Sequence, residues 1–356
     1  MGRIRILVVE DSMTVRKRLV EVLGSDDDLE VVGEAEDGRR AIELCSELRP
    51  DAITMDIMLP LMSGLSATEY IMAHFPTPIL VVSASTNRGD LFKTYEALAA
   101  GAIDVLEKPR GDDSDIGWEH RFVMTIKMVS RIRVITHLRA RLALPRANPA
   151  AVLPASPPDA PRQRCQVVAI GASTGGPGAV VAVLRGLPLA FSLPVLLVIH
   201  INEPFGQAFG DWLDSQTGRR VAYAKDGDVV AAAKGRVLMA PPGYHLVVVD
   251  GICRLNQDPE RHFCRPSVDV LFQSIARGYG PAATAVLLTG MGKDGAVGLL
   301  DIHHAGGFTI AQDEATSVVY GMPREAVNLG AVDRVLPIGD IGPVVAALDQ
   351  PPRIRR

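Results

Sequence analysis

The sequence predicts an α/β protein made of two doubly wound parallel-sheet domains, and three observations carry that prediction. Short apolar runs alternate with helix-spaced segments through the first third of the chain. A proline-rich stretch then interrupts every periodic pattern. From Cys165 onward the alternation resumes and continues almost to the end. Repeated β-α units of this kind bury a parallel sheet between two helical layers.

In the first third the strand candidates are Ile6–Val9, Val31–Val32, Ala52–Met55, Ile79–Val82 and Ile103–Leu106. Helical spacing lies between them, as in Val15, Leu19, Val22 and Leu23, or Ala41, Ile42, Leu44, Cys45 and Leu48. A further segment, from about Ile116 to Leu142, reads as one long helix with arginines on its exposed face. Six prolines between Pro145 and Pro161 then forbid helix and sheet and favour an extended spacer. This places one domain at 1–125, a helix and linker at 126–164, and a second domain at 165–350. In the second domain strands are expected at Val167–Ile170, Val195–Ile199, Ala285–Leu288 and Phe308–Ala311. Residues Val221 to Leu255 hold several β-like runs punctuated by glycine and proline, and read as hairpins inserted into the α/β plan.

The bulk numbers exclude several classes of function. The 356 residues are 47% hydrophobic and 22% charged with a net charge of −4, which describes a globular chain without the basic surface that nucleic acid needs. Four scattered cysteines form no C-x-x-C pair, so neither a disulfide framework nor a structural zinc site is expected. No signal-peptide core and no apolar run of spanning length is present, and a cytoplasmic location without membrane insertion is the expectation.

Several chemistry-bearing residues fall at the carboxyl ends of predicted N-terminal strands, the edge where open α/β sheets bind ligands. Glu10 and Asp11 follow the first strand, Asp56 the third, Ser83 the fourth, and Lys108 with Pro109 the fifth. Acidic residues there can serve as turn formers or helix caps. Three converging carboxylates would repel one another, however, and are best tolerated around a hard divalent cation such as Mg²⁺. A lysine and a hydroxyl at the same edge suit a phosphoryl group carried on Asp56, with Lys108 as charge partner and Ser83 as hydrogen-bond donor.

Over residues 4–125 the chain resembles the response-regulator receiver family, through Val9-Glu10-Asp11-Ser12, Met55-Asp56-Ile57-Met58-Leu59-Pro60 with Gly64, Ser83-Ala84, and Gly101-Ala102 through Lys108-Pro109. The resemblance implies a flavodoxin-like fold and phosphoryl transfer from a sensor histidine kinase to Asp56. It also implies Mg²⁺ held by Asp11, Asp56 and the Met58 carbonyl, with Glu10 acting through water, and a cis Lys108–Pro109 bond. Val105 stands where many receivers carry a switch aromatic.

In the second domain Gly171-Ala172-Ser173-Thr174-Gly175-Gly176-Pro177 follows a strand and opens a helix. The G-x-S-x-G pattern sets a serine hydroxyl on a sharp turn beside helix N-terminal amides. The same glycines could instead cradle a phosphate in a nucleotide fold. A nucleophilic serine needs a base and an orienting acid. His200 ends the apolar strand Val195–Ile199, and Asp294 lies in the glycine-rich turn Gly290-Met291-Gly292-Lys293-Asp294-Gly295. Either could be an ordinary strand-end or turn residue. Their chain order, Ser-His-Asp, differs from that of α/β-hydrolases. His245, His262, His303 and His304 rank below His200, His245 because it begins a hairpin strand.

Residues 165–350 and the two-domain layout are similar to the chemotaxis-type protein-glutamate methylesterase family. The shared pieces are the Ser173 turn, Ala240-Pro241-Pro242-Gly243-Tyr244-His245, Arg265-Pro266-Ser267-Val268-Asp269, Leu288–Gly295, and Gln312-Asp313-Glu314 through Val319-Tyr320-Gly321-Met322-Pro323. The resemblance implies a Rossmann-like three-layer domain that hydrolyses glutamyl methyl esters of chemoreceptors and often deamidates receptor glutamines. Ser173 would be the nucleophile, His200 the base and Asp294 its orienting acid, with amides near Thr174 and Met291 as oxyanion-hole candidates and no cofactor for the hydrolysis itself. The family's usual methionine-proline pair after the histidine is replaced here by Ile201-Asn202-Glu203-Pro204. A phosphorylation-controlled binding module with a degenerate triad is the competing expectation, and it predicts ligand binding without turnover. A receiver-linked transcription factor is disfavoured by the acidic balance and by the α/β character of residues 165–350.

Overall fold

The computed structural model describes residues 2–84, 88–109, 116–132, 134, 164–201 and 205–349. The N-terminal sheet contains β1 (Ile4–Val9), β2 (Leu29–Ala35), β3 (Ala52–Met55), β4 (Ile79–Ser83) and β5 (Asp104–Glu107), all parallel, in the order β2-β1-β3-β4-β5. The central strands are apolar on both faces because helices cover both. Those helices are α1 (Met13–Gly24), α2 (Gly38–Leu48), α3 (Gly64–His74), α4 (Arg88–Ala100) and α5 (Ile116–Val129). Three of them start at a side-chain cap. Ser12 accepts from the Val15 amide, Asp37 from those of Arg39 and Arg40, and Ser63 from that of Ser66.

The long helix expected from Ile116 to Leu142 stops at Val129. Its last bonds tighten to three-residue spacing, from the Arg131 amide to Met128 and from the Ile132 amide to Val129. The rest of that expected helix and the proline-rich spacer lie outside the described residues.

The second sheet has seven parallel strands in the order β14-β13-β12-β6-β7-β9-β8. They are β6 (Val167–Ala172), β7 (Val195–Ile199), β8 (Val221–Tyr223), β9 (Val237–Met239), β12 (Ala283–Leu287), β13 (Phe308–Gln312) and β14 (Arg334–Leu336). Helices α6 (Gly176–Arg185), α7 (Gly206–Thr217) and α11 (Ile338–Ala347) pack on one face, against Val168, Ile170, Leu197 and Ile199. Helices α8 (Val268–Tyr279), α9 (Ala296–His304) and α10 (Met322–Asn328) pack on the other, against Val167, Ala169, Leu196 and Val198. The strict alternation along β6 and β7 is what a strand buried on both faces requires. The result is a three-layer doubly wound domain.

The region read as hairpins divides in two. β8 and β9 pair parallel and extend the main sheet, whereas β10 (His245–Val249) and β11 (Ile252–Asn256) form one antiparallel hairpin. Asp250 and Gly251 turn that hairpin with φ of 51° and 75°, the left-handed pair that a two-residue connection favours.

The two domains share one apolar core through α4, which packs against α6 and α7. Tyr95 of α4 is fully buried, with its ring edge-on to Phe209 at 5.3 Å and tilted against Trp212 at 5.4 Å. Among the described residues, neither the Tyr95 hydroxyl nor the Trp212 indole N–H, both buried there, has a hydrogen-bond partner. A second contact joins the halves. Val318, in the loop between β13 and α10, packs on the N-terminal cluster that contains Trp118 and Phe122.

Candidate active site

Two sites occupy the carboxyl edges of the two sheets, each where the strand order reverses. The first lies between β1 and β3. Asp56 is buried after β3, and its main-chain N–H donates to the Val9 carbonyl at 3.0 Å. Gly64 holds the loop in place, since a Cβ there would sit 1.8 Å from the Asp56 carbonyl oxygen. Lys108 reaches in from β5, with Nζ 2.9 Å from Asp56 Oδ2 and 2.8 Å from Glu10 Oε2, and its amide donates to the Ser83 carbonyl.

Burial pushes the Glu10 carboxyl up to about 7, and the neighbouring Asp56 charge adds to this against the pull of Lys108. Burial lowers the Lys108 pKa, but hydrogen bonds and charge from Glu10 and Asp56 outweigh it and raise the ammonium pKa. Glu10, Asp11 and Asp56 bring carboxylate oxygens within 4.8 Å of one another, a donor set that fits a hard divalent cation. Met58, on the same loop, is half-exposed and Ser83 is buried. Lys108–Pro109 is not cis; the cis bond among the described residues is Arg265–Pro266.

The second site lies at the β6–β12 switch point and on the neighbouring end of β7. Ser173 follows β6, and its main-chain N–H donates to the Thr289 carbonyl at 3.0 Å. Gly175 caps α6 at φ 75°, and a Cβ there would lie 2.5 Å from that of Val318. A Cβ on Gly171 would meet Val268 at 2.2 Å, and one on Gly290 would meet Ser173 Cβ at 2.8 Å. Packing and turn geometry therefore account for these glycines without a phosphate.

Asp294 is the best-seated group of the site. It is 2% exposed and lies at the N-terminus of α8. It accepts from Ser267 Oγ at 2.7 Å and from the amides of Val268 at 2.7 Å and Asp269 at 3.0 Å. Its fourth partner is His200, whose Nε2 donates to Oδ2 at 2.9 Å. Burial alone would raise the Asp294 pKa; the bond and charge of His200, followed by the Asp269 amide and Ser267, reverse this and hold it below the usual carboxylate range. Burial would likewise lower the His200 pKa, but Asp294 and the nearby Cys264 sulfur outweigh it and push it up to about 9.

With Nε2–H given to Asp294, the free base of His200 carries its lone pair on Nδ1. That nitrogen lies 3.6 Å from Cys264 Sγ. The structure thus joins His200 to Asp294 and sets Ser173 on the adjoining turn, beside Gly290. The Ser173 hydroxyl is half-buried and makes no hydrogen bond among the described residues. The backbone amides of Thr174 and Met291 donate none either.

Cys264, Ser267 and Asp269 were not among the predicted site residues. Ser267 is the N-cap of α8, a signal visible as a serine ahead of an apolar run. Asp269 is fully buried, and it accepts from the Gly298 amide at 2.6 Å and from His262 Nε2 at 3.0 Å. His245 is buried scaffolding, accepting the Ser267 amide on Nδ1 at 3.1 Å. Residues 202–204, which carry the altered sequence after the histidine, lie outside the described residues. A cleft of about 890 Å³ opens at the opposite edge of the sheet around Arg164, Lys234 and Arg277, and contains none of these groups.

Two family models match separate parts of the chain. The CheB methylesterase family model matches residues 168–345, and that of the response regulator receiver domain matches residues 6–116. A protein-glutamate methylesterase/protein-glutamine glutaminase of Anaeromyxobacter dehalogenans is 45% identical, covering 95% of each chain. One from Syntrophus aciditrophicus is 43% identical over 97% of this chain and 98% of its own. Among solved structures, the catalytic domain of Thermotoga maritima CheB methylesterase covers 52% of this chain and 98% of its own, at 35% identity and a TM-score of 0.49. The chain belongs to the CheB methylesterase family, in the form that carries an N-terminal response regulator receiver domain.

Proposed function

We propose that this chain hydrolyses the γ-methyl esters of glutamyl residues on chemoreceptors, and that phosphorylation of Asp56 raises the rate. The observation that carries the reading is the His200–Asp294 pair, seated on the N-terminus of α8 beside the Ser173 turn. Its domains are a receiver at 1–125, a helix and linker at 126–164, and a catalytic domain at 165–350. The relatives' names make deamidation of receptor glutamines part of the same reading, with ammonia leaving in place of methanol.

The chemistry follows from the hydrogen bonds. Asp294 fixes the tautomer, so Nδ1 is the basic atom that takes the Ser173 proton as Oγ attacks the ester carbonyl. The imidazolium so formed is stabilised by the buried Asp294 carboxylate. Amides of Thr174 and Met291, which have no other acceptor among the described residues, are the donors to the oxyanion. His200 then returns its proton to the leaving methoxide, and methanol departs. Water, deprotonated by His200, hydrolyses the glutamyl-Ser173 ester and restores the serine.

In the receiver, Glu10, Asp11, Asp56 and the Met58 carbonyl would hold Mg²⁺, which would neutralise the charge of the incoming phosphoryl group. A sensor histidine kinase is the phosphodonor. Lys108 pairs with the phosphoryl group on Asp56 and Ser83 donates a hydrogen bond to it. Gating operates through the contacts of α4 and Val318, with phosphorylation weakening them. The site of action is the cytoplasm; no helix among the described residues is long and apolar enough to cross a membrane. No nucleic-acid partner is assigned.

A serine-directed fluorophosphonate tests the assignment. Adduct formation mapped by mass spectrometry to Ser173, and slowed at least a hundredfold in His200→Gln, is expected; a folded chain that gives no adduct, or an adduct elsewhere, would refute it.

A further inference from the structure

The proposed base has a second neighbour that takes part in none of the proton transfers of ester hydrolysis. Cys264 Sγ faces His200 Nδ1 at 3.6 Å. Zinc binds thiolate sulfur at about 2.3 Å and imidazole nitrogen at about 2.0–2.1 Å, so at a tetrahedral angle the two ligand atoms stand roughly 3.6 Å apart. One Zn²⁺ would bridge these two atoms without moving either.

The surroundings supply what a ligating histidine needs. A metal-bound imidazole gives its other N–H to a carboxylate, which orients the ring and fixes the tautomer. His200 already does this through Nε2 to Asp294. Asp294 is not itself a free ligand, because both its oxygens are taken by Ser267, Val268, Asp269 and His200. It is the outer carboxylate of the arrangement. Cys264 is held in position by the main chain, with reciprocal bonds between Arg261 and Cys264 at 3.2 and 3.0 Å closing a tight turn. That turn places His262 and Phe263 at φ 53° and 61°, in the left-handed region, and leads directly into Cys264.

Accessibility separates Cys264 from the other thiols. Cys45, Cys165 and Cys253 are buried, and burial raises their pKa values. Cys264 is partly exposed and the His200 side chain keeps 15% of its surface exposed, which leaves a side of the pair open to water. Two protein ligands with open positions describe an exchangeable ion, unlike a closed structural site with four protein ligands.

We propose that His200 and Cys264 form an inhibitory site for a thiophilic divalent cation of the zinc class. Binding occupies the Nδ1 lone pair that must accept the Ser173 proton, and the thiol proton is released to solvent as the Zn–S bond forms. No oxidant or reductant is involved. Ligand chemistry keeps this cation apart from the one in the receiver, since Mg²⁺ takes the oxygen ligands around Asp56 and a soft thiolate selects zinc. The consequence for activity rests on the esterase reading; the binding itself does not.

The test uses the full chain and two readouts. Co²⁺ is added as a spectroscopic stand-in to wild type, Ser173→Ala, Cys264→Ser and Cys264→Ala, and the thiolate-to-cobalt charge-transfer band is recorded. Zn²⁺ inhibition of methyl release is measured in parallel and reversed with a chelator. The band is expected in wild type and in Ser173→Ala and absent from both Cys264 variants. Each variant is compared with its own metal-free rate, and both should need at least tenfold more Zn²⁺ than wild type for half-inhibition. A band that survives Cys264 replacement, its absence from wild type, or unchanged inhibition of a folded Cys264 variant would overturn the proposal. A wild-type chain that shows the band but never releases methanol would uphold the metal site and refute the esterase reading instead.

Discussion

Replacing Asp294 by asparagine isolates the part of the account that depends on charge. The carboxylate receives four hydrogen bonds, two on each oxygen. Asparagine offers one accepting oxygen and one donating nitrogen, so one pair of donors must face an N–H₂ group. If the amide nitrogen replaces Oδ2, it opposes the Val268 amide and the His200 Nε2–H, and the ring must place its proton on Nδ1. The base is then lost. If it replaces Oδ1, the Ser267 hydroxyl can turn to accept, but the Asp269 amide loses its partner. Each orientation gives up a charge-assisted hydrogen bond worth about 1.5–3 kcal/mol.

The effect on turnover exceeds the effect on stability, because the wrong tautomer removes the base; a drop of about 10³–10⁴ in kcat is expected, as in other triads. The pH profile carries an independent signature. With His200 at about 9 in wild type, roughly 1% of the chain holds the free base at pH 7, and the rate climbs nearly tenfold per pH unit up to about pH 8. Without the carboxylate the residual activity should reach its plateau at least one pH unit lower. The assay is methanol release from methyl-labelled receptor membranes between pH 6 and 10. Activity within threefold of wild type, with an unmoved profile, would refute the role given to Asp294.

Three further outcomes follow from the same geometry. Gly64→Ala places a methyl group 1.8 Å from the Asp56 carbonyl oxygen; the loop must move, at a cost of at least about 2 kcal/mol in urea unfolding, with loss of phosphodonor-dependent activation. Stability should also depend on pH through His200. Its folded pKa of about 9 lies above the free value of 6.5, so its contribution, on the order of 3 kcal/mol, is fully present below pH 6.5 and is lost as pH rises through about 9. The difference in unfolding free energy between wild type and His200→Gln, followed from pH 6 to 10, should fall over that window. Tyr95→Phe removes a buried hydroxyl that has no partner among the described residues and tightens the contact with Phe209 and Trp212 by about 1 kcal/mol. Basal hydrolysis should fall several-fold and the ratio of stimulated to basal rate should rise; a higher basal rate would contradict the gating contact.

Much of the fold was legible because strands buried on both faces leave unbroken apolar runs, and β3 and β7 begin and end where those runs do. β8 and β9 were misread because three-residue apolar segments beside glycine and proline look the same whether they turn back on themselves or join a distant parallel neighbour. In the site, Ser173, His200 and Asp294 stood out through their place after strands and inside glycine-rich turns. Their mutual geometry did not. The seat of Asp294 is built by Ser267, 27 residues away, and the Nδ1 neighbour of His200 is 64 residues away, so no local pattern marks either. The glycines admitted two readings for a related reason. Those at 171, 175 and 290 allow close approach to Val268, Val318 and Ser173, and only the packed structure separates that role from phosphate binding.

The most direct test of the central claim is labelled-methanol release by the full chain, with and without a small phosphodonor plus Mg²⁺, in wild type, Ser173→Ala and Asp56→Ala. No release is expected from Ser173→Ala, and phosphodonor should stimulate wild type but not Asp56→Ala. Release that persists without Ser173, or stimulation that persists without Asp56, would contradict it.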